Sequence, residues 1–194
     1  MIATSFFSQL RKRWSAYEKE RRDVIKQSSD VLTMSKQAIF AFHRKDIKGG
    51  ERLLADADTL LSRLAKGFKK TTGLSDEGSY RAALEEYAEA RMFHAFLQNK
   101  KIGPVEAPAI DDDAIIGGIL DFTGEAVRFA VRAATEGRLK DVERAHQAVE
   151  MIAGEMIQMN LTGSARQKYD QMKINIRKLE EIRYDLSLRD RSRR

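Results

Sequence analysis

The chain has 194 residues, 42% of them hydrophobic, which supports a folded domain and excludes a disordered chain. It has neither an apolar run of membrane-spanning length nor a signal-peptide pattern, so no membrane partner is expected. Cysteine is absent, which excludes disulfides, thiolate chemistry and cysteine-based zinc sites and suits the cytoplasm, the predicted location. The net charge of +6 is compatible with a nucleic-acid partner, but also with a solvated basic surface.

The two prolines, Pro104 and Pro108, both lie in one segment. Because proline breaks helix interiors, long helices are possible everywhere else, and no β-branched alternation is sustained. The sequence therefore predicts an all-α protein, a single-domain antiparallel bundle of six to seven helices. The bundle should cover residues 1–188, followed by a basic tail at 189–194.

The first predicted helix is long because apolar and small residues recur along it at heptad spacing. At about 1.5 Å per residue the seam is roughly 55–60 Å long, more than a small bundle covers, which favours a partner subunit along part of it. We expect Gly49 and Gly50 to end this helix. The seam consists of Phe7, Leu10, Trp14, Tyr17, Arg21, Val24, Ser28, Val31, Ser35, Ala38 and Phe42.

Five further helices follow from apolar spacing and from turn residues. The fourth should be capped at its start by the acidic run at residues 111–113, and Gly137 should separate it from the fifth. The predicted helices cover about 51–70, 80–100, 111–135, 139–159 and 164–188.

The fourth helix is the most informative segment because its charges share one face. It is apolar around most of its circumference, and its charged residues Asp121, Glu125, Arg128 and Arg132 follow steps of 4, 3 and 4. One interpretation is a ladder of internal ion pairs, Glu125 with Arg128 and Asp121 with other cations. The other is the wall of a cleft, with acids for a metal ion and arginines for phosphate.

The third helix supplies a second pair of acids. Glu86 and Glu89 lie on the same face as several apolar residues, where carboxylates are costly unless paired, protonated or metal-bound. The alternative is a surface helix with exposed glutamates. If the third and fourth helices pack side by side, four carboxylates could converge on Mg2+, which prefers oxygen ligands and can promote phosphodiester hydrolysis.

Other catalytic routes have little support in the sequence. His43, His94 and His146 lack metal-ligand spacing and are predicted to lie at helix surfaces or at the edge of the core. No glycine-rich phosphate loop follows a strand, and no serine has an identifiable partner base.

Three segments resemble the translin family and occur in the family's order. Residues 118–128 (GILDFTGEAVR) are similar to its signature helix, residues 35–44 (SKQAIFAFHR) to the end of its first helix, and residues 168–189 to its last helix. The first-helix segment and the Glu86-x-x-Glu89 pair are most like the branch of translin-associated factor X. Ala114 and Ile115 depart from the family's usual Asp-Tyr pair at the start of the signature helix.

The resemblance implies a Mg2+- or Mn2+-dependent endoribonuclease, with Glu86, Glu89, Asp121 and Glu125 as catalytic metal ligands. It also implies a hollow homo-oligomer, commonly eight subunits, that encloses single-stranded RNA, and the compact length suggests a prokaryotic member. The alternative is an oligomer of translin type that binds single-stranded RNA or DNA without cutting it. The basic residues expected to contact RNA are Arg91, His94, Arg128, Arg132, Arg166 and Lys168.

Overall fold

The computed structural model describes residues 3–68, 73–108 and 110–191, except for the side chains of residues 190 and 191. Within these ranges the chain forms helices and no strand, which confirms the predicted all-α class. The helices are α1 (Thr4–His43), α2 (Ile47–Phe68), α3 (Gly78–Leu97), α4 (Asp112–Thr135), α5 (Leu139–Met156) and α6 (Gly163–Arg191), with a short 3-10 turn at Leu74–Asp76. None of the described helices is long and apolar enough to cross a membrane.

The chain divides into two compact units, and α3 contributes to both. The first unit extends through residue 87 and includes residues 106–110. The second contains residues 88–105 and everything from residue 111 onward. The predicted boundary at residue 188 falls within α6, which continues to Arg191, and residues 192–194 lie outside the described part.

In the first unit, α1 and α2 pack as a helical hairpin. The prediction that Gly49 and Gly50 end the first helix is wrong, because α1 ends at His43 and both glycines lie in the first turn of α2. The chain turns at Lys45, which has a left-handed φ of 68°, and the Asp46 carboxylate then accepts the Gly49 N–H at 2.9 Å. A capping carboxylate therefore begins α2 where the sequence suggested a helix stop.

Gly50 is required by close packing between the two helices of the hairpin. A Cβ atom at this position would lie 2.6 Å from Cδ1 and 2.7 Å from Cζ of Phe42, whose ring is buried. The glycine therefore lets the start of α2 approach the last turn of α1.

The long first helix is covered only over its C-terminal half. Its buried residues begin at Val24 and continue to His43, whereas residues 3–16 are exposed throughout. At the level of Arg21 the guanidinium Nε donates to the Glu77 carboxylate at 2.5 Å, and this contact raises the pKa of Arg21. The predicted overhang of the first helix is therefore present.

In the second unit, α4 packs against both α5 and α6, and α5 also packs against α6. The predicted start of α4 is confirmed, because the Asp111 carboxylate caps the helix by accepting the Ala114 N–H at 2.9 Å. The predicted break at Gly137 is confirmed as well, since this residue takes a left-handed φ of 72° between α4 and α5.

The end of α3 is fastened to α4 and α5 by aromatic and cationic contacts. The Phe96 ring makes edge contacts with Phe122 at 5.6 Å and Phe129 at 5.3 Å between centroids. Arg144 of α5 lies over the Phe96 ring at 4.3 Å and donates to the Phe96 carbonyl and to Asn99 Oδ1. These contacts hold the second half of α3 against the helix that carries the candidate acids.

Candidate active site

The charged face of α4 lies at the edge of the packed core. Phe122, Thr123 and Ala126 are fully buried, whereas Asp121 and Glu125 are half-buried and Arg128 is exposed. Helical periodicity therefore places the apolar residues of α4 in the core of the second unit and leaves its charged residues partly accessible to solvent.

One face of α6 packs on this part of α4. Lys168, Met172, Asn175 and Leu179 follow 4, 3 and 4 spacing, and Met172 and Leu179 are fully buried. Lys168 Nζ donates to Asp121 Oδ2 at 2.5 Å. Asn175 Nδ2 donates to the buried Thr123 hydroxyl at 2.8 Å, and this hydroxyl donates in turn to the Leu120 carbonyl at 2.7 Å.

The interpretation of α4 as a ladder of ion pairs is confirmed at both acids. Glu125 Oε2 lies 3.6 Å from Arg128 Nη1, one turn further along the helix, and Asp121 is paired with Lys168. These pairs do not decide the function, since a charged cleft also holds its acids beside cations.

The acids of α3 differ in environment. Glu86 belongs to the first unit and is half-buried, with Oε2 3.7 Å from Lys36 Nζ of α1. Glu89 belongs to the second unit and is only 8% exposed. The alternative of an exposed glutamate surface is therefore wrong for Glu89, because a carboxylate at that depth needs protonation, hydrogen bonds, a cation or a metal ion.

The donor chemistry of the candidate residues suits a hard divalent ion, because all four supply carboxylate oxygens. Across residues 3–68, 73–108 and 110–191, however, no three aspartate, glutamate or histidine side chains are grouped closely enough to hold a metal ion. The residue types fit Mg2+, but their side chains do not form a ready-made site in the positions that the structure gives them.

The predicted RNA contacts occupy different environments. Two of them lie beside the acids of α4. Lys168 Nζ is 2.5 Å from Asp121 Oδ2, and Arg128 Nη1 is 3.6 Å from Glu125 Oε2. Arg91 is exposed and Arg132 is half-buried. His94 is half-buried, with its Nε2 2.9 Å from Gln98 Nε2.

Arg166 lies in an ionic cluster at the start of α6. Its guanidinium is 3.5 Å from Asp170 and 5.5 Å from the centre of the Tyr169 ring, which Lys173 also approaches at 5.3 Å. A hydrogen bond from Lys173, together with the charge of Arg166, holds the pKa of Asp170 below its ordinary value. This cluster is exposed and cationic, as a phosphate-binding surface requires.

The histidines at 43 and 146 are buried more deeply than predicted, at 5% exposure each. Arg183 Nη1 lies 3.2 Å from Nδ1 of His146, and Arg183 Nε is 2.7 Å from Glu143, so His146 sits beneath an ion pair that joins α5 to α6. This environment fits a structural role for His146.

Sequence reasoning missed two residues that contact the candidate machinery, Lys36 and Asn175. Asn175 could have been found, because it lies seven residues after Lys168 and hence on the same face of α6. Nothing in the spacing points to Lys36, because its contact with Glu86 joins helices that are far apart in the sequence.

The long first helix, the capped apolar helix with its acidic line and the ion-paired last helix define an all-α protein of translin-like fold. The Translin family model matches residues 19–190, and the chain belongs to the Translin family. The predicted resemblance is therefore confirmed.

Two relatives show how the chain relates to this family. It is 26% identical over 197 residues to a Translin-associated protein X homolog of Schizosaccharomyces pombe, covering 90% of this chain and 84% of that protein. It is 31% identical over 81 residues to Translin of Gallus gallus, covering 41% of this chain and 35% of that protein.

Solved structures show the same fold at low sequence identity. The chain matches AfC3PO with a TM-score of 0.87 at 20% identity, covering 94% of this chain and 97% of the other. It matches apo-NeC3PO with a TM-score of 0.84 at 21% identity, covering 95% and 97%. A structure of AfC3PO in complex with duplex RNA matches with a TM-score of 0.84 at 20% identity, covering 94% and 96%.

Proposed function

We propose that the protein is a Mg2+-dependent endoribonuclease that cleaves single-stranded RNA, with low sequence specificity, inside a hollow homo-oligomer. The observation that carries the proposal is the buried carboxylate of Glu89, 8% exposed, in a unit that also contains Asp121 and Glu125. Membership of the Translin family and similarity to a Translin-associated protein X homolog support it.

The packing of the second unit supports a position of Glu89 near Asp121. Arg144 lies near the start of α5 and therefore beside the last turns of α4, because a short turn joins these two packed helices. The end of α3 is fixed in the same region, because the Phe96 carbonyl and Asn99 accept hydrogen bonds from Arg144 and the Phe96 ring contacts Phe122, the neighbour of Asp121. Glu89 lies two turns before Phe96 on the same helix, and we propose that it approaches Asp121 from there.

In the proposed site Glu86, Glu89, Asp121 and Glu125 would hold the ion. A bound divalent ion would activate water and offset the charge that develops on the phosphoryl group. Lys168 and Arg128, which neutralise Asp121 and Glu125 in the structure, would then turn to the phosphates of the RNA. These contacts involve the RNA backbone and no base edge, which supports low sequence specificity.

The alternative proposal is an oligomer that captures single-stranded RNA or DNA without cutting it. It is favoured by the observation that no three acidic or histidine side chains group together in the described residues. It predicts binding that weakens steeply with salt, needs no divalent ion and yields no product.

The two proposals separate in an RNA cleavage assay with labelled single-stranded RNA, duplex RNA and single-stranded DNA. We expect shortened products from single-stranded RNA with Mg2+ or Mn2+ and none after the ion is chelated. The duplex arm is needed because AfC3PO, which has a similar fold, forms a complex with duplex RNA. Salt-sensitive binding without any product would contradict the nuclease and support the capture protein.

A further inference from the structure

The N-terminal part of α1 presents a row of large apolar side chains to solvent. Phe7, Leu10 and Trp14 are exposed, Trp14 to 61%, and the Tyr17 ring packs beside Trp14 at 5.6 Å between centroids. These residues continue the heptad seam whose later part, from Val24 onward, is buried. The same apolar stripe is therefore covered in one half of the helix and uncovered in the other.

The charges beside the uncovered stripe change sign from one heptad to the next. If Phe7 and Trp14 occupy a positions, Arg11 and Arg13 occupy e and g of the first heptad. Glu18 and Glu20 occupy e and g of the second heptad. The outward f positions are both lysine, Lys12 and Lys19.

We propose that this stripe pairs with the same stripe of a second copy of the chain, as an antiparallel two-helix coiled coil related by a two-fold axis. In this register Trp14 packs against the second copy's Tyr17. Arg11 then faces the second copy's Glu18, and Arg13 faces its Glu20. The two-fold axis repeats each contact, so four complementary charge pairs flank the aromatic centre.

The orientation follows from the charge pattern. Antiparallel helices place e against e and g against g, which matches every basic residue of this segment's e and g positions with an acidic one. Parallel helices place g against the e position of the next heptad. Arg13 then faces Glu18, but neither Arg11 nor Glu20 faces a residue of opposite charge on the second helix. The antiparallel arrangement therefore forms twice as many pairs of opposite charge as the parallel one.

The pairing rests on the proposed homo-oligomer, for which it names one contact surface, but it is independent of the nuclease activity because it needs neither RNA nor metal ions. Trp14 is the single tryptophan of the chain, so its fluorescence reports on this surface alone, whatever other contacts hold an assembly together. In wild type we expect Trp14 to be shielded from acrylamide and to become accessible as the protein is diluted.

The test compares charge variants of the full chain by Trp14 quenching and by sedimentation velocity. Arg11→Glu/Arg13→Glu should raise the dissociation constant of the pair at least about tenfold, because attraction becomes repulsion at four contacts. Adding Glu18→Arg/Glu20→Arg to the same chain should restore shielding. The matched control Lys12→Glu/Lys19→Glu makes the same charge change on the outward face and should leave the shielding unchanged.

The swap Arg11→Glu/Glu18→Arg decides the orientation. In the antiparallel arrangement the swap keeps every pair of opposite charge. In a parallel arrangement it places Arg13 opposite the arginine introduced at residue 18. Loss of shielding in this swap would overturn the antiparallel arrangement. The pairing itself would be overturned if Trp14 of the wild type stayed as accessible as in Arg11→Glu/Arg13→Glu at every concentration, or became shielded only when RNA or lipid vesicles were added.

Discussion

Glu89→Gln should reduce Mg2+-dependent RNA cleavage at least ~100-fold while the helical fold is retained. Loss of an outer-shell partner of a metal already costs roughly 10–100-fold in affinity or activity, and loss of a ligand should cost more. Glutamine keeps the size of the side chain and removes its charge, and Glu89 is only 8% exposed, so the change acts on the site rather than on the surface. Cleavage rates on labelled single-stranded RNA, measured across a Mg2+ titration, check this expectation.

The control for this variant is Glu85→Gln. Glu85 lies on the same helix and is half-buried, but it is offset from the face that carries Glu86 and Glu89. The Glu85→Gln variant should cleave RNA at close to the wild-type rate. Equal rates for Glu89→Gln and wild type, with both proteins folded by circular dichroism, would remove Glu89 from the proposed site.

Gly50→Ala should destabilise the protein by about 1–3 kcal/mol, the usual cost of overpacking a filled core. In an ordinary helix the same change stabilises by up to roughly 1 kcal/mol, because alanine has the higher helix propensity. Here the new Cβ would lie 2.6 Å from Cδ1 of Phe42, a ring that is only 2% exposed and has little room to move. Urea unfolding followed by circular dichroism measures the difference.

Gly67→Ala, in the same helix, is the matched comparison. A Cβ atom at residue 67 would meet no atom of the described residues within 4 Å, so this variant should be as stable as wild type or more stable. If Gly50→Ala proved as stable as Gly67→Ala, the close approach of α1 and α2 at Phe42 would be incorrect.

The sequence predicts the elements of this fold best where a local signal and the tertiary structure agree. The acidic run after the proline-containing segment predicts the start of α4, and Asp111 does cap the helix. The paired glycines predict a helix end at residues 49–50, whereas α1 ends at His43. Gly50 instead allows the close approach of α2 to the Phe42 ring, which the periodicity of the sequence does not reveal.

The candidate site could be predicted only in part for a related reason. Helical spacing gives the face on which Asp121 and Glu125 lie, and the pairing of Glu125 with Arg128 follows from their spacing. Contacts between helices distant in sequence, such as Lys168 with Asp121 and Lys36 with Glu86, depend on how the helices pack. Spacing within one helix carries no information about those distances.

A crystal structure of the protein soaked in Mn2+ would show whether Glu86, Glu89, Asp121 and Glu125 bind one divalent ion. We expect an anomalous peak in each subunit with carboxylate oxygens of these residues about 2 Å away, and Lys168 moved off Asp121. Crystals soaked in Mn2+ that show no peak among these acids, with Lys168 still on Asp121, would contradict it.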